Sequence, residues 1–265
     1  MTTSGAKTAT NLDAIDWSRP WLAPWRRLGE PLADRSRGAG LVEALNAGLG
    51  EAVMLRAGRL RFVEQRELPP GEAYEAFIAR TACVPTRANL HDFFNGLAWM
   101  AHPALKRRLN ELQAAQIASA AACAPRGAER DALTLFDENA ALLQAPPPLL
   151  DALRQRDWHA LFVTHRAAWV EARIALFGHA LIEKLVQPRA AITAHVWVVP
   201  HGHKEPTAWL ADSLTPQQLA GKPFLPLPVL GVPGWWAANE SPAFYRDDTV
   251  FRSPQKQTAA RRPLL

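Results

Sequence analysis

The residues best suited to chemistry begin at Thr86. The run Thr-Arg-Ala-Asn-Leu-His-Asp-Phe-Phe-Asn places Asn89, His91, Asp92 and Asn95 within two helical turns of one another, beside Phe93, Phe94, Leu97 and Trp99. Asn89 suits a helix N-cap, and Asp92 then falls at N3, where its charge favours the positive end of the helix dipole. Capping therefore accounts for Asp92 without a catalytic role. It does not account for His91 and Asn95, which share a face one turn apart, at a spacing of about 5 to 6 Å. A lone histidine on an apolar face is nonetheless more often a satisfied core residue than a ligand.

Three further polar groups lie downstream: Arg130 with Asp131, Asp137 with Glu138, and His179 with Glu183 and Lys184. His179 and Glu183, four apart on a helix, can hold one metal ion or simply hydrogen-bond each other. If the four groups converge, their histidines and carboxylates suit a divalent cation with an activated water. His91, Asp92, Asp137 and His179 would then be the metal ligands, and Glu138 the general base. Lys184 or Arg130 would steady an anionic transition state, and Asn95, Asp131 and Glu183 would contact the ligand. The reaction implied is metal-assisted hydrolysis of a small anionic substrate. If the groups do not converge, they are caps, turns and salt bridges. The protein is then a non-catalytic ligand-binding or scaffold protein whose polar cluster fixes the packing of its helices. The chain has no Gly-x-Ser-x-Gly elbow, phosphate-binding glycine loop, dinucleotide fingerprint or His-Glu-x-x-His pair, which argues against the corresponding enzyme classes. His201-Gly-His203 reads as a loop able to trap adventitious metal.

The elements that must position these groups follow from periodicity. Trp17, Trp21 and Trp25, interrupted by Pro20 and Pro24, read as an extended arm over Asp16 to Pro31 packed on the body. Leu41, Val42, Leu45 and Leu49 predict a short helix. Val53 to Leu55 and Leu60 to Val63 flank Ala57-Gly58 as a short hairpin or one strand, and Pro69-Pro70 open a helix carrying Tyr74, Phe77 and Ile78. His102-Pro103 separates two helices. In the second, Leu105, Leu109, Leu112 and Gln116 face inward, and Lys106, Arg107 and Arg108 form a solvated face. Alternation over Arg130 to Leu143 predicts a hairpin with Asp137, Glu138 and Asn139 at its tip. Pro146 to Pro148 start a short helix, and Asp157 a longer one reaching Pro188. Ala191 to Val199 alternate as a strand, Thr215 to Gln218 form a capping box, and Lys222 to Arg252 wrap the core. The fold class is α+β. The reading is a mainly helical single domain over residues 15–252, with a small antiparallel sheet or hairpin and long Pro/Trp-rich loops, between a flexible 1–14 and a disordered basic tail at 253–265.

Composition bounds the rest. At 48% apolar and 21% charged, the chain of 265 residues can bury a full core. Most of the net charge of +5 comes from Arg252, Lys256, Arg261 and Arg262, and no basic run is interleaved with aromatics, which argues against a nucleic-acid partner. Two cysteines, Cys83 and Cys123, make no disulfide framework. With no apolar run long enough for a signal peptide or a membrane span, a cytoplasmic protein with a small-molecule ligand is expected.

Taken together, several of these motifs resemble a bacterial family of uncharacterised proteins, domain-of-unknown-function family 3025. They are Pro85-Thr86-Arg87, Asn89 to Asn95 and Trp99, then Arg130-Asp131, Thr134 and Phe136-Asp137-Glu138, then Phe177 to Leu181 with Glu183-Lys184. The match ends in Leu230 to Trp235, Asn239, Phe244-Tyr245 and Phe251-Arg252, so that it spans residues 15–252. Ala140 departs from the pattern, which has glycine after Asp-Glu-Asn. The resemblance implies no established activity, substrate, cofactor or catalytic residue.

Overall fold

Ala140–Gln144 is a strand buried at every residue. Its period-two alternation sends Ala141 and Leu143 into one apolar cluster and Ala140 and Leu142 into another. A strand wet on neither face is covered on both sides, and this one is also paired along both edges. The computed structural model describes residues 12–50, 53–119 and 127–253 and is a mainly helical α+β single domain.

In chain order, a 3-10 turn at Leu12–Ala14 leads to helices α1 (Ala23–Ala39) and α2 (Leu41–Gly48). Strands β1 (Met54–Leu55), β2 (Gly58–Arg59) and β3 (Arg61–Glu64) precede α3 (Tyr74–Thr81) and β4 (Cys83–Thr86). Helices α4 (Leu90–Ala101), α5 (Pro103–Ser119) and α6 (Ala128–Asn139) run into the central strand, β5 (Ala140–Gln144). Next come α7 (Pro147–Gln155), β6 (Arg173–Leu176), α8 (His179–Lys184), β7 (Thr193–Val198), α9 (Pro206–Ser213), α10 (Pro216–Ala220) and β8 (Leu225–Pro228). No helix among the described residues is long and apolar enough to cross a membrane.

The main sheet has the order β6-β5-β7-β8. β5 is antiparallel to β6 and parallel to β7, and β7 is antiparallel to β8, so the sheet is mixed. A hairpin forms near the expected place, but its return arm is Gly58–Arg59 (β2) rather than Leu60 to Val63, with Gly58 at a φ of 131° that favours glycine. β3 pairs in parallel with β4, a pairing that no local pattern announces. Ala194 and Val196 of β7 join the cluster of Ala141 and Leu143, while Trp197 and Val199 join that of Ala140 and Leu142.

Four local expectations are corrected. Asp16 to Pro31 is not extended, because Pro24 occupies the first turn of α1, where its missing N–H costs nothing. The helix also tolerates Pro31, with Trp25, Leu32 and Ala33 buried along it. Arg130 to Leu143 is a helix followed by a strand, not a hairpin. Ala132, Leu133 and Phe136 are its buried positions at helical spacing, and Asp137 to Asn139 form the last helical turn rather than an acidic tip. Asp157 does not cap one long helix. A π turn (Ala160–Thr164), a 3-10 turn (Arg166–Glu171), β6 and the short α8 occupy that stretch, since pairing with β5 overrides the apolar spacing. The helix expected from Pro69 begins only at Tyr74. The capping box at Thr215 and Gln218 is formed as expected. The basic tail from residue 254, residues 1–11 and Cys123 lie outside the described residues.

Gly178 couples the end of α6 to the start of α8. A Cβ there would lie 2.4 Å from the Glu138 carbonyl oxygen and 2.5 Å from Asn139 N, both backbone atoms with no room to yield. Gly178→Ala is therefore expected to cost about 1–3 kcal/mol as overpacking, measurable as a lower midpoint in urea unfolding. An unchanged midpoint would contradict this packing.

Candidate functional site

Asn89 caps α4, its side-chain oxygen accepting from Asp92 N at 2.7 Å, as the residue types foretell. The Asp92 carboxylate then accepts from Arg87 N at 2.5 Å and from the Arg87 guanidinium at 3.1 and 3.2 Å. It is thereby committed to the start of its own helix and is unavailable as a metal ligand beside His91.

His91, in the first turn of α4, meets α8. Its Nδ1 lies 2.9 Å from Glu183 Oε2, and its Nε2 lies 3.1 Å from His179 Nε2, with ring centroids 4.5 Å apart. His179 Nδ1 lies 2.9 Å from the backbone oxygen of Asp137. A carbonyl oxygen only accepts, so His179 carries its proton on Nδ1 and presents a lone pair at Nε2. His91 Nε2–H must then donate to His179. His91 Nδ1, facing a carboxylate, must donate too, so the hydrogen bonds of the His91 ring are complete only when it carries both protons. His179 and Glu183, read as a possible pair within one helix, both turn to His91 instead. His179 is buried, whereas the side chains of His91 and Glu183 are about a third exposed, at 33% and 36%.

Behind the histidines lies a lysine that the sequence reading assigned to a solvated face. Lys106 is 4% exposed. Its ammonium donates to Asp137 Oδ1 and Oδ2 at 2.7 and 2.9 Å and to Asn95 Oδ1 at 2.9 Å, and it sits 5.3 Å from the centre of the Trp99 ring. Asn95 Nδ2 in turn donates to the Tyr74 hydroxyl at 3.0 Å. Burial pushes the Asp137 carboxyl up, but the Lys106 ammonium and the His179 and His91 rings more than reverse this, leaving it below the usual carboxylate range. Burial takes His179 down to about 3, and the Lys106 and His91 charges add to that against the opposing pull of Asp137. Burial, then the Asp92 and Asp137 charges, raises the Tyr74 hydroxyl far above its ordinary value.

Sequence reasoning missed Lys106 and Tyr74. A signal for Lys106 existed: Lys106, Asn110 and Gln113 follow i, i+4, i+7 spacing beside Leu105, Leu109 and Leu112, and all six are buried. Several predicted residues stay outside the cluster. Arg130 and Asp131 lie in the first turn of α6, at the opposite end from Asp137. The Glu138 carboxylate makes no hydrogen bond or ion pair among the described residues, and Lys184 Nζ donates to Asn139 Oδ1 at 2.8 Å. The proposed ligand set therefore does not assemble: His91 and His179 meet, Asp92 is held by Arg87, and Asp137 by Lys106. Among the described residues no group of three or more His, Cys, Asp or Glu is placed to hold a metal ion.

Comparison with protein families finds one matching description, "Protein of unknown function (DUF3025)", over residues 60–255. Comparisons with curated proteins and with solved structures returned no match.

Two stability predictions follow from the buried groups. Lys106→Met leaves the Asp137 charge uncompensated and is expected to cost about 3–5 kcal/mol, most of it regained in Lys106→Met/Asp137→Met. Urea unfolding of the single and double variants measures both, and a single variant as stable as the parent would refute the pairing. His179 and His102 fall from 6.5 to about 3 and about 4, each because burial disfavours the charged ring. Between those values and 6.5 the unfolded chain binds protons that the folded chain does not, so stability rises with pH across this window. Their stabilisation is complete above about pH 6.5 and is lost as the pH falls towards 4 and then 3. Unfolding free energy measured from pH 4 to 7 is expected to climb, and to climb less steeply in His102→Phe.

Proposed function

The chain belongs to the DUF3025 family, whose description carries no activity, and from the site we propose an acid–base enzyme of hydrolytic type in which His91 transfers the proton. The observation that supports this is a single one. A partly exposed imidazole has Nδ1 against a carboxylate, Glu183, and Nε2 against an acceptor that is held neutral, His179. A carboxylate that orients an imidazole from Nδ1 leaves Nε2 to exchange a proton with a reacting group. In the free protein that partner is His179 Nε2. In the complex a substrate or water oxygen takes its place. His179 is a positioning residue, its ring fixed by the Asp137 carbonyl oxygen and kept neutral by burial. Asp137 is itself fixed by Lys106. A small anionic substrate fits Lys184, whose hydrogen-bond partner is the neutral Asn139 amide, so its charge remains available to attract an anion. A cytoplasmic setting goes with this reading, supported by the free, buried thiol of Cys83.

A second reading, metal-assisted hydrolysis, keeps the same two rings. Two Nε2 atoms 3.1 Å apart, with one Nδ1 held by a carboxylate and the other by a backbone carbonyl, have the outer partners that orient imidazole ligands around a metal. If a divalent ion were bound, His91 and His179 would hold it, and it would supply Lewis-acid activation of a water. Its remaining positions would be filled by water or substrate, because Asp92 and Asp137 are committed elsewhere.

Protein purified without a metal-affinity tag is assayed on a panel of p-nitrophenyl esters, phosphomonoesters and phosphodiesters, beside His91→Ala and Glu183→Gln. Turnover of at least one class is expected, falling by about 10²–10⁴ in His91→Ala with urea stability little changed. Chelator-insensitive turnover supports the first reading, and turnover lost to chelator and restored by zinc supports the second. Parent protein no more active than His91→Ala on every substrate, together with a large stability loss in that variant, would make the cluster a structural network.

A further inference from the structure

A second, chemically different concavity lies at the far end of α4. His91 is in the first turn of that helix and His102 is its C-cap, about 16 Å further along the axis. There a cavity of about 260 Å³ opens between the start of α1, strand β6 and the loop at Trp235. Its walls include Trp21, Trp25, Trp235, Pro20 and Pro24, and among the described residues no acidic, lysine or arginine side chain lines it. An apolar cavity of about 150 Å³ accepts benzene, so this one has room for two fused rings.

The walls are held rigidly. Trp21 donates its indole N–H to Leu185 O at 3.1 Å, which commits its polar edge and leaves the ring for packing. Trp21 lies 6.4 Å from Trp235, and Trp25 meets the His102 ring edge-on at 5.4 Å. β6 is the outer strand of its sheet, and Ile174 to Leu176 form the remaining wall.

Apart from the indole N–H groups, His102 is the polar side chain in this lining among the described residues. Neither of its ring nitrogens makes a hydrogen bond to any described residue, and its ring meets those of Trp25 and Phe177. Burial takes it down to about 4, so near neutrality it is an uncharged ring with one donor and one acceptor. The ring is half-buried and its nitrogens are not enclosed, so they are free to bond water or a ligand held in the cavity. A charged ligand would lose its hydration with no counter-charge to meet it.

We propose that this cavity binds an uncharged, planar, bicyclic aromatic heterocycle, packed against the half-buried Trp235 and the rims of the buried Trp21 and Trp25 and hydrogen-bonded through a ring nitrogen to His102. The site is independent of the His91 centre and stands whatever that centre does.

The test uses benzimidazole, indole and naphthalene as probes, titrated calorimetrically at pH 7.5 into the full chain and two variants. Ala101→Phe fills the cavity from an exposed helix position, and His102→Phe keeps a ring while removing its nitrogens. Benzimidazole is expected to bind saturably at one site, at least about tenfold weaker in Ala101→Phe, a loss of about 1.4 kcal/mol. His102→Phe should weaken benzimidazole by a similar factor and leave naphthalene within about twofold. Binding that Ala101→Phe leaves unchanged, or no saturable binding of any of the three probes, would overturn the proposal. Equal loss of benzimidazole and naphthalene in His102→Phe would overturn the hydrogen-bonding role. If His102→Phe fails to fold, Ala101→Phe still decides occupancy, and the preference of the parent for benzimidazole over naphthalene decides the polar contact.

Discussion

A lysine ammonium almost out of reach of water stays charged only if a carboxylate lies against it and its remaining N–H groups are occupied. Lys106 meets this condition through Asp137 and Asn95. Because Lys106 is on α5, Asp137 on α6 and Asn95 on α4, one buried cation ties three helices together. Their order around it admits little freedom, since moving any one helix would strand a charge in the core. The same pair sets the field at the histidines. Asp137 offers its carbonyl oxygen to His179, while Lys106 neutralises the carboxylate that would otherwise draw a proton onto that ring.

The sheet supplies the complementary constraint. α6 runs without a loop into β5, so Asp137 sits only three residues from the most buried strand of the domain. After β6 the chain turns straight into α8 through Gly178, and Phe177 and Gly178 both donate their backbone N–H to Ala140 O. His179 and Asp137 therefore meet because the antiparallel β5–β6 pairing brings the end of one helix beside the start of another. The strand pairing, the glycine contact and the ion pair all act on the same few ångströms of backbone. This is why a site of few residues can be held rigidly by short elements such as the six-residue α8.

Chemically, the arrangement divides into a dry half and a wet half. Lys106, Asn95 and His179 are buried and the Asp137 side chain is 16% exposed, with their hydrogen-bonding groups largely used on one another, and the Lys106 and Asp137 charges cancel in place. His91 and Glu183 are the parts that solvent reaches. A buried network that only stabilised the fold would need neither a solvent-facing imidazole nor a histidine pair sharing one proton. The wet half is what supports the proposed reactive role over that of a packing device. The family relationship constrains neither choice, because its description names no activity.

What the amino-acid sequence determined by itself was local. Asn89, Leu90 and Asp92 specify the start of α4 through capping and the helix dipole, and Thr215 with Gln218 specify the start of α10. The alternation of Ile192 to Val198 specifies β7. Each of these depends on residues within a turn or two of one another, so spacing alone reports it. His91, Asp137 and His179 were also legible as candidates for one cluster, and the structure brings the two rings together with the Asp137 carbonyl oxygen behind them. Their partners were not legible. The alternation of Leu133 and Leu135 could not separate a hairpin from a helix, because over so few residues the two periods overlap, and only the burial of Phe136 against Phe177 and Trp197 decided between them. Between Asp157 and Pro188 the apolar spacing was helical, yet the edge of β5 claimed Arg173 to Leu176 as a strand. Lys106 stood in a basic triplet that patterning assigns to solvent. It became the buried hub because its i+4 and i+7 neighbours are polar residues facing the same interior, and because a carboxylate 31 residues further along the chain arrives beside it. Long-range pairing of that kind carries no local signature. It is decided by which charges the packed helices and sheet bring within a hydrogen bond of each other.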